Sequence, residues 1–409
     1  MHSRIVIAGA SLGGLRTLEA LVAAGFDPKS ISIIGAEPYR PYNRPPLSKT
    51  MLAEIASLGI DGVFQQTVFK TRRELEDAHW LLGRSVVSAS LAGHSLELSD
   101  GTRLSFDAMI VATGLSPRRL PFDGGWTQRF VLRTLDETAT LRAALTPGSR
   151  VVVAGAGFIG CEVAATAAKL GCHVTIVEPF ANPMERAIGA RLGGALRDYH
   201  EPRGVAFRTG TGVTGLHSDP SGKLTGVALT TGETLAADVL VEAVGSIANT
   251  QWLEGQALDL SNGLLCDKWM RVESRPDLYA VGDVARFPNA LFDNDCRRIE
   301  HWCVPGQTAK RAAETLVASH SGAPLPPDPF LPMPSFWSDQ HDIRIQSFGL
   351  PALADDIEVL DGSLDGAAGI EQGVAVGYLR HGRPIGVVTA GMTPGKALRH
   401  RAYLDGLRA

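Results

Sequence analysis

Cysteine is scarce in this sequence and poorly placed for redox chemistry. Five residues in 409, Cys161, Cys172, Cys266, Cys296 and Cys303, form no C-x-x-C pair, and none lies in residues 1–160. An odd, widely spaced set argues against a disulfide framework and points to a reducing compartment, the cytoplasm. Charge of one sign is lacking too: Lys+Arg number 39 against Asp+Glu 43, a net charge of −4. Without a basic field, neither nucleic acid nor an anionic membrane is an expected partner. No apolar run reaches the roughly 20 residues of a membrane span. The first, Ile5-Val6-Ile7-Ala8-Gly9-Ala10, breaks at once into glycines without a leader's cleavage site, so it reads as a buried strand. Charged residues make up 20% and hydrophobic ones 44%, enough apolar side chain for two or three cores.

Glycine is what the chain has in excess. Its 45 residues are about 11% of the sequence against a usual ~7%, clustered where strands would turn into helices. The sequence also repeats. Ile5-Val6-Ile7-Ala8-Gly9-Ala10-Ser11-Leu12-Gly13-Gly14 is echoed by Val151-Val152-Val153-Ala154-Gly155-Ala156-Gly157-Phe158-Ile159-Gly160. Each copy continues into an Ala/Leu-rich helical stretch, a glycine (Gly25, Gly171) and another apolar strand, which predicts strand, turn, helix, strand twice. Asp107-Ala108-Met109-Ile110-Val111-Ala112-Thr113-Gly114 then follows the first copy, and Asp238-Val239-Leu240-Val241-Glu242-Ala243-Val244-Gly245 the second, each a buried strand ending in glycine. Leu278-Tyr279-Ala280-Val281, ending in Gly282-Asp283, reads as the terminal strand of the first copy, so the first domain is expected to be split around the second. Prolines from Pro324 to Pro334 form a linker, and the short apolar runs beyond it suggest a small α+β domain. The expected fold class is α/β, with two Rossmann-like dinucleotide-binding domains and a small α+β C-terminal domain.

A dinucleotide fingerprint needs glycine for a tight turn, a small residue where backbone approaches pyrophosphate, glycine for helix–strand packing, and an acid after the next strand for the ribose. Gly155, Gly157 and Gly160, with Phe158 and Ile159 between them, meet the first three demands, and Glu178 ends the next strand. The helix is expected to open at Cys161 toward the phosphate. In the first copy Ser11 replaces the second glycine, while Gly9, Leu12, Gly14 and the acid Glu37 remain. Two such units imply two dinucleotides, most economically a held flavin and a diffusible nicotinamide that exchange a hydride. Glu178 would accept from a ribose 2′-OH and repel a 2′-phosphate, which favours NADH over NADPH, with Arg186 the one nearby arginine bearing on the choice. Disulfide reductases of this architecture need a cysteine pair beside the flavin, and NADH oxidases and peroxidases a single cysteine within Pro41–Lys49. Neither is present, so electrons are expected to leave without a protein thiol.

Tyr42-Asn43-Arg44-Pro45-Pro46-Leu47-Ser48-Lys49, Ala112-Thr113-Gly114, Gly282-Asp283, Glu300-His301-Trp302 and Phe336-Trp337-Ser338-Asp339-Gln340 together resemble the oxygenase-coupled NADH-dependent ferredoxin reductases over residues 1 to about 350. This group includes the putidaredoxin reductase type and the reductases of aromatic-ring dioxygenases, and it shares the glutathione reductase fold. The resemblance implies FAD in a domain formed by residues 1–115 and 246–325, NAD in residues 116–245, and a C-terminal domain, 326–409, that helps dock a 2Fe-2S ferredoxin. It implies that Lys49 stands beside the flavin's reactive edge, that Glu162 pairs with it near the nicotinamide, and that Asp283 binds the ribitol. Arg44 and Arg118 resemble arginines near the FAD phosphates or ring, and Trp302 and Trp337 aromatics along the flavin. In the family a helix follows directly on Glu300-His301-Trp302; here Cys303-Val304-Pro305-Gly306-Gln307 is expected to displace its start.

The activity implied is transfer of electrons from NADH through FAD, singly, to a 2Fe-2S ferredoxin that serves a monooxygenase or Rieske dioxygenase. A rubredoxin reductase is the nearest alternative. A redox-responsive binding protein of the apoptosis-inducing-factor type is disfavoured by the near-neutral charge, and direct oxidation of a small organic molecule by the flavin is a third alternative. Arg297, Arg298, Lys310, Arg311 and Arg344 are candidates for a basic docking patch. His301 and Cys303 are too few for a metal site, so none is expected. The chain is expected to be a monomer or homodimer.

Overall fold

Strand Ile5–Ala8 is buried along its whole length, as are Ala108–Val111 and Leu278–Ala280. Strands apolar on both faces need cover on both faces, which parallel sheets obtain from the helices of their crossovers. In the computed structural model, which describes residues 3–407, these strands lie in a five-stranded parallel sheet. Its order is Leu278–Ala280, Ala108–Val111, Ile5–Ala8, Ile31–Gly35, His79–Leu82. The second copy repeats the plan in the order Arg129–Phe130, Val239–Glu242, Arg150–Ala154, His173–Glu178, Val205–Thr209, again all parallel. In each sheet the fingerprint strand is central, with the later strand (108–111 or 239–242) on one side and the next one (31–35 or 173–178) on the other. That reversal is the switch point where open α/β sheets receive ligands at the strands' carboxyl ends.

The chain divides into two compact units. The first comprises the described residues through Asn43, Val68–Ser116 and Ile247–Pro334; the second comprises Arg44–Thr67, Pro117–Ser246 and the described residues from Ser335. Separate cores follow the division. Ile5, Leu15, Ile33, Ile110, Tyr279 and Leu316 belong to one; Val153, Val163, Ile176, Val241, Ile345 and Val388 belong to another.

The units group the chain differently from the expected segments: residues 326–334 fall in the first unit, and two longer stretches join the second. Residues 44–67, which precede the second fingerprint by a hundred positions, belong to the second unit because Leu52 joins its core. The C-terminal five-stranded antiparallel sheet, order Ser335–Gln340, Ile343–Gly349, Arg383–Ala390, Val374–Arg380, Asp356–Asp361, also belongs to that unit and shares the same core.

Two expected helix starts are corrected. Helix Phe158–Lys169 begins three residues before Cys161, with Gly157 as its cap. The Cys161 N–H already donates to Gly157 O at 3.0 Å, and its buried thiol turns to Ala156 O, so Cys161 is a core residue. Helix Val304–Ser321 starts immediately after Cys303. Pro305 falls in its first turn, where a missing N–H costs nothing, so proline initiates this helix instead of displacing it.

Candidate functional site

The glycine turns close in the same way in both copies. Gly155 has φ +98°, and a Cβ there would lie 2.4 Å from Ala243 O; at Gly9 the corresponding contact is 2.1 Å from Ala112 O. A Cβ on Gly160 would meet Gly155 O at 2.0 Å, and one on Gly14 would meet Gly9 O at 1.9 Å. The protein's own packing therefore demands the first and last glycines. It does not demand the middle one: Gly157 has φ −75°, open to any residue, and no atom lies within 4 Å of an added Cβ. The space over that helix end is free for a ligand's backbone contact, which explains why Ser11 is accepted at the equivalent cap of helix Leu12–Ala23. Neither helix carries an acidic residue in its first turn, so no side chain of the helix itself opposes an anion at its N-terminal N–H groups. Both cradles fit a dinucleotide pyrophosphate.

Acids stand beside both turns. Glu178 Oε2 accepts from Ala156 N at 2.7 Å and Oε1 from Phe180 N at 3.0 Å, so backbone N–H groups fix its carboxylate at the fingerprint. Each oxygen keeps a lone pair for a further donor. Arg186 lies over the Phe180 ring at 5.9 Å. In the first unit Glu37 accepts from the Tyr42 hydroxyl at 2.5 Å.

The second unit brings Lys49 and Glu162 together. Helix Phe158–Lys169 carries Glu162 inward, and the turn Pro45–Ser48 delivers Lys49 to it. Lys49 Nζ lies 2.8 Å from Glu162 Oε2, with side chains 13% and 4% exposed, and also donates to Pro45 O at 2.9 Å. Ser48 Oγ donates to the same carboxylate oxygen at 2.5 Å and Ser338 Oγ to the other at 2.6 Å. An ion pair this buried persists only when its remaining lone pairs are filled in this way. Arg44 donates to Arg133 O at 2.7 Å. Arg118 is exposed, its backbone N–H bound to Gly245 O; the neighbouring Arg119 turns to Glu242, which also pairs with the wholly buried Arg129 at 2.7 Å. Trp337 lies on the face of strand Ser335–Gln340 opposite to Ser338 and Gln340, with Arg344 over its ring at 5.5 Å.

In the first unit, Thr113 Oγ1 donates to Asn249 O at 2.7 Å while Asn249 donates back to Thr113 O, which locks the Ala112-Thr113-Gly114 turn. Gly282 N donates to Thr308 Oγ1 at 3.0 Å, and Arg298 donates to Asp283 O, so the Gly282-Asp283 turn is tied to the helix from Val304. Trp302 is 39% exposed and donates to Asn43 Oδ1 at 3.2 Å. Burial lowers the His301 pKa to about 4, so its ring is neutral at pH 7. Glu300 pairs with Arg298 at 2.9 Å.

The expected basic patch is largely cancelled. Arg297 pairs with Asp293 and Asp295, Arg298 with Glu300, Arg344 faces Asp339 at 3.8 Å, and buried Arg311 donates to the carbonyls of Asp328 and Pro329. Lys310 stands 3.9 Å from Glu314. All five cysteines are free, and burial pushes the Cys161 and Cys266 thiols up, away from nucleophilic character. Among the described residues no group of three or more metal-ligating side chains gathers, and no helix is long and apolar enough to cross a membrane.

Sequence reasoning missed Ser48, Ser338, Gln340 and His200 around Glu162. The available signal was polar residues at inward positions of an alternating strand: Phe336, Ser338 and Gln340 are buried, Trp337 and Asp339 are not.

Two parallel sheets, each ending in a glycine turn at a helix N-terminus, define a protein of two nucleotide folds. The chain belongs to the pyridine nucleotide-disulphide oxidoreductase family, matched over residues 3–311, and is an oxidoreductase. It is 34% identical to the ferredoxin reductase component of chlorobenzene dioxygenase from Cupriavidus sp. (strain PS12), covering 90% of this chain and 86% of the relative. It is 32% identical to putidaredoxin reductase of Pseudomonas putida, covering 95% and 88%. The crystal structure of the covalent putidaredoxin reductase–putidaredoxin complex matches with a TM-score of 0.86 at 30% identity, covering 98% of this chain and 93% of that one.

Proposed function

We propose that this chain is an FAD-dependent NADH:ferredoxin oxidoreductase, holding FAD at the first cradle and NADH at the second. The twin turns carry the reading: each is closed by its own packing, and the second is open at Gly157, where a pyrophosphate would approach. FAD held at the first cradle would supply the chemistry that converts the two-electron donor NADH into single electrons for a 2Fe-2S ferredoxin, with one proton released per NADH.

The chain's own residues bind and orient. At the first cradle, Gly9, Ser11, Leu12 and Gly14 offer backbone N–H groups to the FAD pyrophosphate and Glu37 accepts from its ribose. By the family resemblance, Asp283 would take the ribitol, Arg44 and Arg118 the phosphates or ring, and Ala112-Thr113-Gly114, Glu300, His301, Trp302 and Trp337 would contact the flavin. At the second, the N–H groups of Phe158, Ile159 and Gly160 would serve the NAD pyrophosphate, Gly245 would lie beside the nucleotide, and Glu178 would accept from the ribose hydroxyls. Lys49, held by Glu162, supplies the positive charge that favours the reduced ring. The ferredoxin assignment rests on the relatives, which are named as ferredoxin and putidaredoxin reductases. Five free thiols suit a cytoplasmic protein.

The test is NADH-dependent cytochrome c reduction by the FAD-loaded protein with and without added 2Fe-2S ferredoxin. Ferredoxin is expected to accelerate it many-fold; no acceleration overturns the assigned acceptor.

A further inference from the structure

Behind Glu162 runs a line of buried polar side chains whose donors can be assigned from one end. A carboxylate only accepts, so Ser338 Oγ–H, 2.6 Å from Glu162 Oε1, must donate to it. Ser338 Oγ then accepts from Gln340 Nε2 at 3.0 Å. The same amide nitrogen faces the Met184 sulfur at 3.2 Å, which has no proton to give. Both contacts fix the amide orientation, so Gln340 Oε1 accepts from His200 Nε2–H at 2.7 Å. His200 is wholly buried, and burial lowers its pKa to about 4. Its ring is therefore neutral at pH 7 with the proton on Nε2, and its bare Nδ1 accepts from His341 Nε2–H at 3.1 Å. Every proton from His341 inward points toward Glu162.

We propose that Ser338, Gln340, His200 and His341 are positioning residues that fix the Glu162 carboxylate, and through it the Lys49 ammonium, for the flavin reaction. The proposal rests on the reading of Lys49 above. A proton conduit is the rival use of such a line, but Gln340 interrupts it: relaying a proton through the amide would require the unfavourable imidic acid form. Orientation is what the line can deliver. Ser338, Gln340 and His200 are each 0% exposed, so no water can replace a lost partner, and the terminal carboxylate torsion of Glu162 is soft without Ser338. Losing that donor leaves Glu162 Oε1 to draw on Lys49, which removes positive charge from the ring's surroundings.

The test compares Ser338→Ala, Ser338→Thr and Gln340→Met with Lys49→Met in the FAD-loaded protein, reading the midpoint potential of the bound flavin and its single-turnover reduction by NADH. Lys49→Met, Ser338→Ala and Gln340→Met should each lower the potential. For the two positioning variants the expected change is about tenfold in the two-electron equilibrium, about 30 mV. Ser338→Thr keeps the hydroxyl and should keep the wild-type potential. If Lys49→Met moves the potential while Ser338→Ala and Gln340→Met do not, or if Ser338→Thr falls as far as Ser338→Ala, the positioning role is refuted and the reading of Lys49 survives. If Lys49→Met leaves the potential unchanged, that reading fails and takes the proposal with it.

Discussion

Glu178 has a carboxylate already oriented by two backbone N–H groups, so its role can be tested without disturbing the core. Replacing it with Ala should raise the KM for NADH about tenfold, the worth of one charge-assisted hydrogen bond, with little change in kcat. An unchanged KM would mean the ribose binds elsewhere. Arg129 is the opposite case, a guanidinium at 0% exposure against Glu242 at 0%. Arg129→Met leaves that carboxylate with the half-exposed Arg119 and the Leu120 N–H and should cost about 3–5 kcal/mol in urea unfolding. The two acids differ in legibility. Glu178 could be read from sequence because its position follows from strand length and fingerprint spacing. The partners of Glu162 could not, because Ser48 and Ser338 come from distant segments that only tertiary packing brings to one carboxylate, and His200, from a third, reaches it only through Gln340.

The turn between strand Arg150–Ala154 and helix Phe158–Lys169 separates what folding needs from what binding needs. Gly155→Ala places a Cβ 2.4 Å from Ala243 O at a φ of +98° and should cost at least ~2 kcal/mol of stability. Gly157→Ala meets nothing within 4 Å, so its melting temperature should stay near wild type while NADH binding weakens, by titration calorimetry. Equal stability losses in both variants would contradict this division. Strand, turn and helix were legible because glycine spacing and apolar runs are local signals. The start of the helix was misread at Cys161 because its Ala-rich body hides the boundary, and the cap is a glycine whose side chain makes no bond. Pro305 was misread as a disruption because proline ends a helix from within but starts one from its first turn.

Over the whole molecule, the twofold repeat of strand, turn and helix could be read from the sequence. The grouping of residues 44–67 and of the C-terminal sheet with the second unit could not, since it depends on which apolar faces meet. Both units hold a histidine whose pKa burial lowers to about 4 from 6.5, His301 in the first and His200 in the second. The unfolded chain therefore binds more protons than the folded one between pH 6.5 and 4. Stability is complete above pH 6.5 and is lost on acidification through that window, by up to ~1.4 kcal/mol per pH unit for His200. Urea midpoints at pH 7 and pH 5 should differ accordingly; equal midpoints would mean that neither ring is held neutral. A separate loss follows between pH 3.8 and about 2, where Asp238 is protonated in the unfolded chain but held ionised in the fold, its pKa lowered to about 2 chiefly by the hydrogen bond from Arg150. The central claim, that two nucleotide cradles serve one hydride transfer, is tested most directly by anaerobic titration of the purified protein with NADH, followed by visible absorbance. The account predicts a yellow protein that bleaches stoichiometrically; a protein colourless even after reconstitution with FAD, or yellow but indifferent to NADH, would contradict it.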